Sequence, residues 1–197
     1  MSYIDSIEKI LDSKDTTVGG TSAALMAGAM SSGLTSMVAR LSVMKIYGLD
    51  DSQYLALADE LDNASFVLIR GVNEDAKALE VIREAFGLPN ETEEDKEQRK
   101  TALEAAGVKM LNNLRDCGMV CKRIYKAGLI LTDNSDSNAR SDLEVAKKLA
   151  EAALTGCIEG IKTNLPLIKN QEFIEVYKRD LAELEEKIEY STGDRQH

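Results

Sequence analysis

QYLALADELDNASFVLIRGVNEDAKALEVIREAF, residues 53–86, decides the fold. Stepping in alternating fours and threes picks out Tyr54, Ala58, Leu61, Ser65, Leu68, Val72, Asp75, Leu79, Ile82 and Phe86. That spacing is one face of an α-helix. The stretch holds no proline, so the helix runs unbroken across it. A helix this long buries its apolar stripe only against other helices, which predicts an all-α bundle of long antiparallel helices. Asp75 is the one carboxylate on the stripe. A buried carboxylate is costly unless its pKa rises or a partner satisfies it. Held that way, it can give and take protons near neutral pH. The residues leave two readings open: a general acid or base, or an interior carboxylate satisfied by a cap, a lysine or a second copy of the chain.

The flanking sequence supplies the other helices. A short first helix spans Tyr3 to Leu11. A loop around Val18-Gly19-Gly20-Thr21 leads to a second helix, expected from Ser22 to about Lys45. Its Ala24, Gly28, Ser31, Ser32 and Thr35 are small enough for a neighbouring backbone to come close. Gly48 to Asp51 turns into the long third helix, which Gly87-Leu88-Pro89 ends. Thr92 caps a fourth helix with Asp95 three residues on, close to a capping box, and that helix reaches about Leu131. The polar run TDNSDSNAR, residues 132–140, reads as a loop. Ser141 and Glu144 have the spacing of a capping box for a fifth helix ending near Pro166. A last amphipathic helix is expected from Gln171 to about Tyr190. The chain therefore reads as one domain over residues 1–190 and a polar tail, 191–197. Small-residue helix faces also predict a homodimer.

Composition narrows the function. The chain has 197 residues, 44% of them hydrophobic, and a net charge of −10. That charge argues against nucleic-acid and anionic-membrane partners, which need a basic surface. Residues 16–39 carry no charge, but they are too rich in Gly, Ser and Thr for a membrane span, and a buried helix accounts for them better. The N-terminus has acids and no long apolar core, so no secretory leader is expected. Cys117, Cys121 and Cys157 read as buried free thiols of a reducing, cytoplasmic compartment. The single histidine is His197, the last residue, which argues against a catalytic triad and a histidine-based metal site. No metal is expected.

Three further groups stand out. Gly19-Gly20 before the Ser22 helix resembles a ligand-approach loop, but it lacks the lysine of a phosphate loop and follows no strand. Ser141 and Asp142 look like a helix cap and its first turn. Lys45, with Arg40 a turn or so earlier, offers cations for an anion or for solvent.

Together these segments resemble one family. Gly19-Gly20-Thr21-Ser22-Ala23-Ala24, Gly28-Ala29-Met30 and Met37-Val38-Ala39 are similar to the PGGGSVAA…GAL…MV opening of the cyclodeaminase/cyclohydrolase family. Its members are formiminotetrahydrofolate cyclodeaminases and methenyltetrahydrofolate cyclohydrolases. Lys45 and Tyr47 resemble its K-x-Y, and Asp75-Ala76-Lys77-Ala78 with Leu88-Pro89 and Thr92 resembles D-A-x-A-F…LPK-x-T. Asn138-Ala139-Arg140-Ser141-Asp142 resembles NAxSD, and Asn164-Leu165 the closing INL. Val18 stands where proline is usual, Thr21 where a third glycine is, Leu79 for phenylalanine, Asn90 for lysine and Gly160 for asparagine.

The resemblance implies a helical, dimeric, folate-binding enzyme with Asp75 as its acid–base group. It implies that Gly19, Gly20, Ser22, Asn138, Ser141, Asp142 and Asn164 line the substrate site and that Lys45 meets a substrate carboxylate. It implies no cofactor beyond the tetrahydrofolate substrate. The expected reaction is hydrolysis of 5,10-methenyltetrahydrofolate to the 10-formyl form, since no formiminotransferase domain accompanies the chain. The alternatives are ammonia release from 5-formiminotetrahydrofolate and a non-catalytic helical dimer that binds a folate or a protein.

Overall fold

The structure is a computed structural model and describes residues 3–186. The described residues form six α-helices and no strand. They are α1 (Tyr3–Leu11), α2 (Gly20–Leu41), α3 (Asp51–Phe86), α4 (Glu93–Thr132), α5 (Arg140–Asn164) and α6 (Gln171–Glu185). Short 3-10 turns at Ser137–Ala139 and Leu165–Leu167 flank α5. The polar tail and His197 lie outside the described residues.

The helix starts follow local chemistry. Asp50 caps α3 and Gln53 reaches back to the Asp50 N–H. Thr92 and Asp95 form the capping box expected at α4. Two boundaries differ from the sequence reading. α2 ends at Leu41, because the Ser42 hydroxyl turns back to the Val38 carbonyl and accepts the Asp136 N–H at 3.1 Å. Lys45 is therefore in a loop. The Ser141–Glu144 capping box does not form: α5 starts at Arg140 without a side-chain cap, and Glu144 pairs with Lys147 instead. Asp136 supplies the start, accepting from the Asn138 N–H at 3.0 Å.

α2 to α5 pack as antiparallel neighbours, and small residues set their spacing. Gly28 lies against Leu68, Cys121 and Ala153, so a side chain there would touch three helices. Ser31 donates to the Ala146 carbonyl at 2.7 Å, and Ser32 to the Leu61 carbonyl at 2.6 Å. These bonds tie α2 to α5 and to α3 without leaving buried hydroxyls unpaired. By length and composition α2 could cross a membrane, but here it is the core helix of the bundle, packed between α3 and α5. The expected stripe of α3 is buried at Tyr54, Ala58, Leu61, Leu68, Val72, Asp75 and Ile82, while Phe86 at its end is exposed. All three cysteines are buried and free, as expected.

Candidate active site

Asp75 sits on the buried side of α3, only 2% exposed, opposite the first turn of α2. Its Oδ2 accepts hydrogen bonds from Thr21 Oγ1 at 2.7 Å and Ser22 Oγ at 2.6 Å. Its Oδ1 is buried with no hydrogen-bond partner among the described residues. Among the described residues no lysine or arginine pairs with it, which weighs against the lysine version of the structural reading. Burial pushes its pKa above the ordinary aspartate value, and the two hydroxyls offset that in part. A half-satisfied interior carboxylate of this kind suits proton transfer.

The loop before α2 presents Gly19 and Gly20 with open space where side chains would stand. Gly19 is extended, at φ −119°, so neither a left-handed turn nor tight packing demands a glycine. What the two glycines leave is room beside the Thr21 and Ser22 hydroxyls. Val18 is buried beneath the loop. Thr21 was missed by the sequence reading, although it adjoins Ser22 at the same helix start. Its methyl faces Gly160: a Cβ added there would come within 2.6 Å of Thr21 Cγ2. One turn on, Asn164 donates to the Gly160 carbonyl at 2.8 Å. Gly19, Gly20, Ser22, Thr21 and Asp75 thus form one cluster, with Asn164 at its edge.

The other expected residues lie elsewhere. Lys45 forms an ion pair with Asp136, whose carboxylate also accepts from the Asn138 N–H and side-chain amide, each at 3.0 Å. Lys45 holds Asp136 below the usual aspartate range. Lys45 is thus paired within the chain, as is Arg40 with Asp59 and Asp62. Ser141 is exposed and Asp142 half-buried on the first turn of α5. This second cluster belongs to the far end of α2, whose 22 residues span about 33 Å. Within one chain the two clusters do not meet.

Two hollows border the Asp75 end. One, of about 250 Å³, is lined by Lys9, Thr17, Asn73 and Arg83 among others. The other is an open groove between α2 and α5, lined by Gly20, Ala23 and Gly156 among others. Asp75 lines neither. Among the described residues, no three His, Cys, Asp or Glu side chains are grouped to hold a metal ion.

Comparison with known proteins adds the following. Residues 4–183 match the family model described as Formiminotransferase-cyclodeaminase. A methenyltetrahydrofolate cyclohydrolase of Methylorubrum extorquens is 27% identical over 184 residues, covering 91% of this chain and 88% of that protein. The formimidoyltransferase-cyclodeaminase of Gallus gallus is 28% identical over 158 residues, covering 79% of this chain but 29% of that protein. The chain thus spans less than a third of that longer relative. A crystal structure of formiminotetrahydrofolate cyclodeaminase from Thermotoga maritima superposes with a TM-score of 0.78 at 21% identity, covering 94% of this chain and 88% of that one. That likeness shows the fold.

Proposed function

Because the chain belongs to the formiminotransferase-cyclodeaminase family, we propose that it is a one-carbon folate enzyme, a methenyltetrahydrofolate cyclohydrolase in which Asp75 moves the proton. The observation that carries the reading is the carboxyl itself: buried, pinned at Oδ2 by two hydroxyls, and without a hydrogen-bond partner at Oδ1 among the described residues. The substrate's amidinium is a cation. Bringing it beside Asp75 lowers the carboxyl's raised pKa and favours the ionised base. Water then adds to the amidinium carbon and gives one proton to Asp75 Oδ1. The carbon–N5 bond breaks as Asp75 hands that proton to N5, the remaining hydroxyl proton leaves to solvent, and the carbon stays on N10 as the formyl group, with Asp75 back in its ionised form. Thr21 and Ser22 keep the carboxylate aimed throughout. The open space at Gly19 and Gly20 receives the folate, with Ser22 and Asn164 as polar neighbours. The relative matched over most of both lengths is named a cyclohydrolase, which favours this reaction.

The second reading is cyclodeamination, supported by the names of the relatives from Gallus gallus and Sus scrofa. There N10 attacks the formimino carbon, and Asp75 would hand its proton to the departing ammonia. The test is optical. Purified protein should speed the loss of the methenyltetrahydrofolate chromophore, and the Asp75→Asn protein should not. Loss no faster than in buffer, together with ammonia release from 5-formiminotetrahydrofolate, would select the second reading. Neither activity would sink both.

A further inference from the structure

Asp75 is 2% exposed, its Oδ1 is itself buried, and it lines neither of the hollows at its end of the bundle. A carboxyl shut in this way exchanges no proton with water or substrate until a wall moves. Three of its walls are fixed. Cys117 of α4 and Cys157 of α5 lie close enough to Asp75 to feel its charge. Both belong, with Leu68 and Val72 of α3, to one apolar cluster at the centre of the bundle. Shifting α3, α4 or α5 would open that core. The fourth wall is the first turn of α2, whose Thr21 and Ser22 hydroxyls reach Oδ2.

That turn is lightly held. Its first backbone hydrogen bond runs from the Ala23 N–H to the Gly19 carbonyl at 3.2 Å, and the N–H groups before it have no helical acceptor. Among the described residues no side chain caps the start of α2. Nothing larger than threonine occurs from Gly19 to Ala24, so unwinding gives up little apolar burial. Buried side chains anchor the stretch at both ends, Val18 before it and Leu25 after it. It also has room. The hollow of about 250 Å³ at Thr17 borders its approach, and the groove of about 650 Å³ between α2 and α5 is lined by Gly20 and Ala23. A side chain at Gly19 or Gly20 would meet nothing within 4 Å, and neither residue has a positive φ. Packing therefore asks for no glycine at either position. What glycine supplies is backbone freedom.

We propose that residues 19–24 are a gate over Asp75, hinged at Gly19 and Gly20. Unwinding of the first turn of α2 uncovers the carboxyl and admits water and substrate. Rewinding returns Thr21 and Ser22 to Oδ2 and shuts the site for the proton transfer. The opening is a property of the free protein; that a folate passes through it rests on the reading above. Because the turn must unwind before each turnover, stiffening the hinge makes the site better ordered and slower.

Carbodiimide coupling of glycinamide, read by mass spectrometry, reports the opening with no ligand present. Exposed Glu74, next to Asp75, should couple at once in every variant and serves as the internal standard. Asp75 should couple slowly while helical circular dichroism stays intact. Gly20→Ala, which favours the helical turn, should slow that coupling about two- to fivefold. Adding Gly19→Ser, which supplies the missing cap, should slow it further. Gly33 is exposed farther along α2, and a side chain there would also meet nothing within 4 Å. Gly33→Ala stabilises the helix but not its first turn, so it should leave the Asp75 rate unchanged. Coupling at Asp75 as fast as at Glu74, none at all, or a rate that Gly20→Ala does not move overturns the gate. So does equal slowing by Gly20→Ala and Gly33→Ala, which would mark global unfolding. In the folate assay, kcat of Gly20→Ala should fall by the same factor as its coupling rate, with KM not raised. An unchanged kcat, or a raised KM alone, overturns the gate, because the glycines then only leave room for the ligand. A wild type whose Asp75 couples as expected but which turns over neither folate leaves the gate standing and sinks the folate reading instead.

Discussion

Among the described residues, Asp75 accepts two hydroxyl donors on Oδ2 and none on Oδ1, and no cation pairs with it. Two neutral donors offset only part of the cost of burying a charge, so its folded pKa lies above the ordinary 3.8. The sign follows. Folding binds this proton more tightly than the unfolded chain does, so the contribution is fully present below 3.8 and is lost as pH rises through the folded value. Thermal melts of wild type and Asp75→Asn, compared across acidic to neutral pH, should show the wild type losing ground to the variant as pH rises. Parallel curves would mean that Asp75 is already ionised without cost. The same variant should lose about 10²–10⁴-fold in turnover, the usual share of general acid–base catalysis. A second prediction concerns the departures at Thr21 and Gly160. A side chain at Gly160 would meet the Thr21 methyl at 2.6 Å and Leu114 Cδ1 at 2.9 Å. Gly160→Asn, the residue common in the family, should therefore cost about 1–3 kcal/mol through overpacking. Adding Thr21→Gly should recover part of that in urea melts. If the double change is no more stable than Gly160→Asn alone, the two departures are not coupled.

The junction between α2 and α5 depends on Asp136, which binds Lys45, the Asn138 N–H and the Ser42 hydroxyl through its own N–H. Asp136→Ala should raise amide exchange at Ala139 and the first turn of α5 while protection around Asp75 stays unchanged. Loss of protection at both ends alike would mean that the clasp does not act locally. Since Lys45 holds the Asp136 pKa down, the clasp should be intact above the ordinary aspartate pKa and open as pH falls through the folded one. This junction is also where the sequence was hardest to read. α3 and α4 were legible because period and caps lie within a few residues: Thr92 with Asp95, and the stripe from Tyr54 to Ile82. The end of α2 and the start of α5 depend on partners 94 and 91 residues apart, Ser42 with Asp136 and Lys45 with Asp136. No local pattern shows them, so Lys45 looked like a free cation and Ser141 like a cap. Asp75 was legible as the exception in its own stripe. Thr21 was not, because its hydroxyl acts across helices rather than along one.

Three apolar clusters stack along the bundle. One, around Val38, Tyr54 and Leu143, lies at the Lys45 end, and one, around Ile82, Leu111, Leu114 and Tyr177, is built on α3, α4, α5 and α6. The third joins them through Leu25, Leu68, Cys121 and Cys157, drawing on α2, α3, α4 and α5 together. No helix of these four can leave without opening that middle cluster, so the clusters should melt as one unit. The thiols sit inside it and report on it directly. Burial pushes Cys117 up to about 12, and Cys157, in contact with Cys121, is raised as well. The thiolate is the reactive form, so an aromatic disulfide reagent at pH 8 should find no reactive thiol in the folded protein. Across a urea titration, the fraction of labelled cysteine should follow the loss of helical circular dichroism with the same midpoint for all three positions. Labelling of Cys117 at urea concentrations that leave the helices intact would show that the wall beside Asp75 opens separately. The Asp75 site would then sit on a locally unfolding segment and not on the rigid centre of the bundle.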